Sequence, residues 1–551
     1  MPRNKMDNKF KEQKHTLEQG AVILLITAVL VKIIGALFKI PLSSSYCLGD
    51  LGFGYFSAAY DLINPFTILS ISGLPVAVSK LVAENQNDNN SDSSKIFFIS
   101  RKVFLWFGVV VFFVSLALVF PFTYATDSSG STIYCFLAII PSFLFYCVLA
   151  SYRGYFEGIT NMMPPAVSSL IEAFSKLVLG FSFAFITVRL TKNPLFAAAT
   201  ALFGITLGTV FSTLYLHTRF KKLGISYDKS YKYDNKLVKQ IVSIALPIAL
   251  CSFAASVVGL VDAITVRWQL NSLFESDFLY FNKFFSKIIS EIPSDTVVDS
   301  NILSTVVYGI RSKAYTIYNI VPSLTAFLGV SAIPHISKAY SSGDNETIIK
   351  HISKLLKYTS VICLPAGIGI IALNKNIMIL LYGDTASSEL GGRMLLLYGV
   401  AMVFTGLALV LVNVLQGLGL QKRALLNVAI GVVFKIVLNL FLCDQPVLNI
   451  QGSVISTVVC YILIFTLNII SLKKAIGVVP QITNIFLKPL LASIICCSVA
   501  FLIVNIKNSA IYICFSLCVA ILIYVFLTFV LKVFSKEELA ELPLIDKLFN
   551  H

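Results

Sequence analysis

GAVILLITAVLVKIIGALFKIPL, residues 20–42, is the stretch that decides the fold. Lys32 and Lys39 are its only charged residues. A bilayer core is spanned by about 20 such residues in a helix. The run is too long for the apolar core of a signal peptide and reads as a retained first membrane span. Its two lysines are the second message. An ammonium at bilayer depth costs several kcal/mol unless it faces water or a partner. Lys32 lies well inside the span. Lys39 is seven positions on, so both share one helix face with Gly35 and Ala36 between them. A basic stripe with small residues is a suitable lining for an anion path.

Working outward, the same reading recurs along the chain. Apolar runs fall at 20–40, 54–83, 96–121, 131–152, 162–190, 195–217, 237–268, 304–332, 352–382, 392–417, 424–443, 450–470, 484–506 and 508–531. The expected fold is an all-α polytopic membrane protein of about fourteen transmembrane helices. Composition agrees: the 551 residues are 57% hydrophobic and 13% charged, against about 25% charged in an average soluble domain.

The gaps between runs alternate in charge. Arg3, Lys5, Lys9, Lys11 and Lys14 precede the first run, and Lys80, Lys95, Arg101 and Lys102 flank the second gap. Arg153 lies in the fourth, and Arg219, Lys221, Lys222, Lys229, Lys232, Lys236 and Lys239 in the sixth. Later even gaps hold Lys338, Lys350, Lys354, Lys357, Lys422, Arg423, Lys473 and Lys474. The odd gaps are poor in base, and the largest carries Glu275, Asp277, Glu291, Asp295 and Asp299. By the positive-inside rule both termini are expected to be cytoplasmic. The expected organisation is a basic tail at 1–19, an N-lobe at 20–217, a basic linker at 218–236, a C-lobe at 237–470, two further helices at 471–531 and a tail at 532–551.

Several classes of function drop out. The +15 net charge resides in short inter-helix loops, so nucleic-acid binding is not expected. Cys135, Cys147, Cys251, Cys363, Cys460, Cys496, Cys497, Cys514 and Cys518 lie within apolar runs, where cysteine acts as a small hydrophobe. No CxxC or Cys/His cluster suggests a metal, and no Walker motif supplies an ATPase. The glycine-rich Gly49–Gly54 reads as a tight outer turn. No enzyme chemistry and no cofactor are expected.

Other charges join Lys32 and Lys39 inside the runs. Lys176 and Lys435 sit near mid-depth in the fifth and eleventh. Asp61, Asp262 and Arg267 lie toward the outer side, Arg267 as a further base for the anion and the two acids as pairing groups or as carriers of a coupling H+ or Na+. Lys80, Glu84, Arg153 and Glu157 sit near cytoplasmic helix ends and form a candidate access gate. Arg311 reads as an ordinary terminal charge. An internal echo places the two lysines in matching positions. Glu157-Gly158 precedes Lys176-Leu177-Val178-Leu179, and Gln416-Gly417 precedes Lys435-Ile436-Val437-Leu438 at the same spacing. Two related lobes gripping one anion from both sides is the expectation.

Taken together, Lys32 through Leu42, Gly49 through Gly54 and Ala59-Tyr60 form a distinctive motif. It is joined by Gly73-Leu74-Pro75-Val76-Ala77-Val78-Ser79-Lys80-Leu81-Val82-Ala83-Glu84 and by Arg153-Gly154-Tyr155-Phe156-Glu157-Gly158 with Asn161-Met162 and Pro164. Asp262 with Arg267, Leu415-Gln416-Gly417-Leu418-Gly419 and the tail Glu537-Glu538-Leu539 with Leu542-Pro543 complete it. In these the chain resembles bacterial flippases of the MOP superfamily, in the stage V sporulation protein B and YtgP (MurJ-like) branch of Gram-positive bacteria. The resemblance spans nearly the whole chain. It implies a MATE-like bundle of two lobes around a central cavity. The implied cargo is lipid II, an undecaprenyl-pyrophosphate-linked peptidoglycan precursor, with membrane lipids and cell-wall synthesis proteins as further partners. Lys32, Lys39 and Arg267 match positions that contact the pyrophosphate, and Asp262 matches an acidic cavity position. The chain departs from the family pattern with Lys39 and Lys176 in place of arginine, Asp61 in place of proline, and Glu172-Ala173 in place of Glu-Gln.

The expected mechanism is alternating access without covalent chemistry, moving the head group from inner to outer leaflet. An inside-negative potential favours outward movement of an anion by about 2.3 kcal/mol per charge per 100 mV. Three other readings compete: a flippase for another polyprenyl-linked oligosaccharide, a cation-coupled drug exporter, and a non-transporting scaffold in cell-wall or spore assembly. The intramembrane lysines weigh against the exporter.

Overall fold

In lipid, a backbone must satisfy its own hydrogen bonds, so apolar runs of this length fold as helices. The computed structural model describes residues 17–85, 90–126, 130–223, 234–294, 296–477, 482–506 and 509–534. The tail bases Arg3, Lys5, Lys9, Lys11 and Lys14, the centre of the basic linker, Asp295 and the motif at 537–543 lie outside them.

The described chain is all α. In order it forms α1 Leu17–Leu42, α2 Gly49–Glu84, α3 Asn90–Thr126, α4 Ile133–Ile139, α5 Ser142–Gly158 and α6 Met163–Ser175. A π-helical turn, Lys176–Gly180, leads to α7 Phe181–Thr191 and α8 Pro194–Lys222. α9 Asn235–Val261 runs through a second π turn, Asp262–Val266, into α10 Arg267–Ser276. The short α11 Phe278–Phe284 and α12 Ser286–Ile289 precede α13 Ser300–Ser341. Then follow α14 Asn345–Ala372, α15 Asn374–Tyr382, α16 Ala386–Gly417, α17 Gln421–Leu442, α18 Ile450–Ile476, α19 Ile482–Ile506 and α20 Ala510–Val530.

Among the described residues, 12 segments are long and apolar enough to cross a bilayer. The other two expected spans, 237–268 and 304–332, coincide with α9 plus its π turn and with α13. Residues 49–54, expected as a turn, instead open α2. Gly49 has φ of +62°, which frees the chain to change direction there, and the helix starts at once.

The chain divides into two compact units, residues 1–313 with 435–453, and 314–434 with 454–551. In the first, α2 is the organising helix. A Cβ on Gly73 would lie 2.3 Å from the Ala245 carbonyl of α9, and one on Gly154 of α5 would lie 2.5 Å from the Pro75 carbonyl. At the other end of α2, a Cβ on Gly309 of α13 would lie 2.0 Å from the Asp50 carbonyl. Small residues let backbones approach this closely, which is how membrane helices associate without a hydrophobic driving force between them. An aromatic cluster of Phe97, Tyr152, Tyr155 and Phe220 fills the space beside α5, with the Phe97 and Phe220 rings 4.1 Å apart. In the second unit, Ile336, Ile352, Leu356, Leu411, Val414 and Leu472 form a separate buried core.

Candidate functional site

The site lies within the first unit, where ionisable residues of α1, α2, both π turns, α13 and α17 meet. α1 presents Lys32 and Lys39. Lys32 is exposed, and a Cβ on Gly35, one turn along the same face, would meet nothing within 4 Å. That face of α1 therefore borders open space. The Lys39 ammonium sits 4.4 Å from the centroid of the Tyr60 ring. Lys176, the first residue of its π turn, approaches the same place. Lys32, Lys39 and Lys176 all act electrostatically on the Tyr60 hydroxyl, and Lys32 feels both other lysines. Tyr60 is held by stacking on Phe56, which stacks on Phe53. Among the described residues, none of the three lysines has a carboxylate within 4.0 Å. Three like charges gathered without a fixed counter-ion favour an incoming anion.

Asp61, next to Tyr60, accepts a hydrogen bond of 3.1 Å from the Tyr308 hydroxyl of α13. It also lies within electrostatic reach of Lys39, Arg311 and Asp262. Beyond it stands a second cluster, fully buried. Asp262, at the start of the other π turn, accepts on one oxygen from Arg311 Nη2 and from Lys435 Nζ, the latter at 2.7 Å. Its other oxygen accepts from Asn439 Nδ2 at 3.1 Å. Arg311 Nε donates to Ser453 Oγ at 2.9 Å, and Asn439 also reaches Thr265 Oγ1 at 2.9 Å. Arg267 is 1% exposed and donates from Nη2 to Thr305 Oγ1 at 3.1 Å, while its Nε has no partner. Lys313 and Asp50 form a separate, self-balanced pair at 2.5 Å. Leaving aside that pair and the Arg153–Glu172 pair described next, six cations (Lys32, Lys39, Lys176, Arg267, Arg311 and Lys435) share the region with two carboxylates, Asp61 and Asp262.

A third cluster joins α5 to α6. Arg153 Nη2 donates to Glu172 Oε2 at 3.0 Å, and Arg153 Nε to Ser168 Oγ at 3.1 Å. The Tyr146 hydroxyl donates to Glu172 Oε1 at 3.1 Å. Glu157 lies within electrostatic reach of Arg153. Lys80 and Glu84 pair only loosely, 3.9 Å apart on an exposed turn of α2.

The sequence-based site is thus partly gathered and partly separated. Lys32, Lys39 and Lys176 come together, with Asp61 beside them. Lys435 does not join them: its ammonium is buried against Asp262, and a buried carboxylate and ammonium each offset the other's desolvation cost only by pairing. The expected grip by Lys176 and Lys435 on one anion from both sides is therefore not what the structure forms. Asp262 pairs with Arg311 and Lys435 and not with its sequence neighbour Arg267. Arg311 is central where the sequence suggested an ordinary terminal charge. Its position within the run Val306 to Ser312, among residues otherwise uncharged, was the available signal. Tyr60, Tyr146 and Tyr308 had no role assigned from sequence, since no spacing rule announces a tyrosine that orients charges, and neither had Glu172, whose partners come from another helix.

A multi-pass bundle of apolar helices, with a cation-rich interior holding unpaired lysines, defines a membrane transporter for polar cargo. A family profile described as "Polysaccharide biosynthesis protein" matches residues 17–340, and one described as "Lipid II flippase MurJ" matches 314–525. The chain belongs to the MurJ-like flippase family of the MOP superfamily, whose members are transporters and not catalysts. It is 25% identical over 483 residues to "Lipid II flippase MurJ" of Bacillus subtilis (strain 168), covering 84% of this chain and 83% of that one. It is 25% identical over 561 residues to "Stage V sporulation protein B" of the same organism, covering 97% and 99%. The solved structure "Lipid II flippase MurJ, inward closed conformation" shares the fold at TM-score 0.67 and 15% identity, over 92% of this chain and 98% of that one. An inward-facing MATE multidrug transporter of the MOP superfamily shares it at TM-score 0.58 and 15% identity, over 81% and 98%.

Proposed function

We propose that this protein moves the head group of a polyprenyl-pyrophosphate-linked glycan, lipid II, from the inner to the outer leaflet by alternating access. The observation that carries this is the lysine trio around Tyr60. Its three ammonium groups gather without a fixed carboxylate within 4.0 Å among the described residues, beside the open face of α1 at Gly35, as a doubly charged phosphate group requires. In this reading all fourteen runs cross the membrane, and the basic even-numbered loops put both termini in the cytoplasm. The two lobes, 20–217 and 237–470, rock about the bound head group while the polyprenyl tail stays in lipid. Arg267, buried with an unpartnered Nε, is the second-lobe group that meets the phosphate. Asp262 serves as a fixed counter-ion, and Asp61 with its single tyrosine donor is the carboxylate available to carry a coupling proton. Kinship with MATE transporters makes such ion coupling a natural partner to the membrane potential. Two uncompensated negative charges would gain roughly 4–5 kcal/mol per 100 mV on moving outward.

The match to a polysaccharide-biosynthesis profile favours a second reading, export of another polyprenyl-linked oligosaccharide by the same charge logic. A cationic drug is disfavoured by six cations against two carboxylates. Translocation in proteoliposomes discriminates the cargoes. Purified lipid II and a second undecaprenyl-pyrophosphate glycan are compared with and without an imposed inside-negative potential. Faster lipid II translocation under the potential supports the proposal. Movement of only the second glycan would transfer the function to that class, and movement of neither would remove it.

A further inference from the structure

Glu172 and Lys176 are four residues apart, with the acid on the N-terminal side. On a helix this is the favoured arrangement for an ion pair. The chain forms such a pair elsewhere, Glu389 with Arg393 at 3.0 Å, and even the reversed order pairs loosely in Lys80 with Glu84 at 3.9 Å. Here, however, no ion pair forms within 4.0 Å, and both Glu172 oxygens are taken by α5. Arg153 holds Oε2 at 3.0 Å and Tyr146 holds Oε1 at 3.1 Å. Arg153 is itself aimed by Ser168. The helix register changes at this point, since the π turn begins at Lys176. The backbone is clamped there by α8. A Cβ on Gly208 would lie 3.0 Å from the Glu172 carbonyl, and one on Gly204 only 2.4 Å from Gly180 Cα. Tyr146 also lies within electrostatic reach of Tyr60, so the clamp adjoins the lysine trio.

We infer that Arg153 and Tyr146 are positioning residues for the anion site: by holding both oxygens of Glu172 they keep it off Lys176, leaving that ammonium free for cargo phosphate. The inference rests on the anion-site reading above and adds to it a role for Arg153 other than a cytoplasmic gate. Without the clamp, Glu172 swings to its i+4 neighbour and neutralises one third of the trio's charge. With it, the carboxylate is retained as a structural group at no cost to the site. Glu157, the other acid facing Arg153, lies on α5 and so is not a helical i,i+4 neighbour of Lys176.

The test is binding of undecaprenyl pyrophosphate to the purified full-length protein, measured by native mass spectrometry. Arg153→Gln is expected to weaken binding roughly tenfold or more, the scale of losing one charge-assisted hydrogen bond to the ligand. Arg153→Gln with Glu172→Gln is expected to recover binding to within about twofold of wild type, because the freed acid is gone. Tyr146→Phe, which releases one oxygen, gives a smaller loss with the same rescue, and covers the case in which Arg153→Gln does not fold. On a Lys176→Gln background, Arg153→Gln should weaken binding no further. A double variant as weak as Arg153→Gln alone would overturn the inference by assigning Arg153 a purely structural role. If Lys176→Gln leaves binding unchanged, the anion-site reading itself fails. If Lys176→Gln weakens binding and Arg153→Gln does not, only the positioning role fails.

Discussion

One carboxylate, Asp262, serves two buried cations, and this makes the two sides of the cluster unequal. Asp262→Asn preserves shape and removes the charge, leaving Arg311 and Lys435 buried and facing a neutral amide. At 2.7 Å and an effective dielectric of about 20, the Asp262–Lys435 attraction alone is about 6 kcal/mol before desolvation. Desolvation offsets much of this, and breaking a buried pair by removing one partner costs about 3–5 kcal/mol net. Asp262→Asn removes the partner of two cations at once, so its cost should lie at the upper end of that range. Lys435→Met is different. It leaves Asp262 with Arg311 and Asn439, a neutral and still hydrogen-bonded group, so its cost should be less than half as large. Adding Lys435→Met to Asp262→Asn should recover part of the loss. The assay is unfolding in mild detergent at a fixed scan rate, following the fraction that remains monodisperse on size exclusion after heating. Equal losses for Asp262→Asn and Lys435→Met, or an Asp262→Asn protein as stable as wild type, would refute the assignment of Asp262 as shared counter-ion.

Three further outcomes are expected. Lys32→Ala should abolish head-group translocation in proteoliposomes while leaving the protein level and elution profile unchanged; normal transport would remove Lys32 from the site. Gly309→Ala should destabilise the protein by about 1–3 kcal/mol through overpacking, since its Cβ would lie 2.0 Å from the Asp50 carbonyl. Unchanged thermal stability would contradict the close crossing of α2 and α13. Asp344 caps α14, and hydrogen bonds from the Thr347 hydroxyl and backbone N–H hold its carboxyl below the usual carboxylate range. A folded pKa below the unfolded one contributes stability above the unfolded pKa of about 3.9, lost as pH falls through the folded value. Hydrogen exchange at 345–348, corrected for intrinsic rate, should therefore rise below about pH 4 in wild type and be fast at all pH in Asp344→Ala.

The helices were legible because a bilayer imposes one length on every crossing. Each of the fourteen apolar runs falls on helix, and the sharpest miss, Gly49–Gly54, arose where glycine signals a turn and close helix contact alike. The depth of Lys32 and Lys176 was legible from helix rise. Which charges pair was not. Lys435 and Lys176 look equivalent in sequence, yet one is buried against Asp262 and the other is unpaired beside Tyr60. That difference is decided by which stems reach which carboxylate across helices distant in sequence. Arg311 was undervalued for the same reason. Glu172 stood out only as part of a departure from the family pattern, because its partners, Arg153 and Tyr146, come from another helix.

The central claim is that the lysine trio around Tyr60 receives a pyrophosphate. A cryo-EM structure of the full-length protein in nanodiscs with undecaprenyl pyrophosphate addresses it most directly. The account predicts phosphate density within about 4 Å, ion-pair distance, of at least two of Lys32, Lys39 and Lys176, with Lys435 still on Asp262. Pyrophosphate bound elsewhere, with the three lysines facing acyl chains, would contradict it.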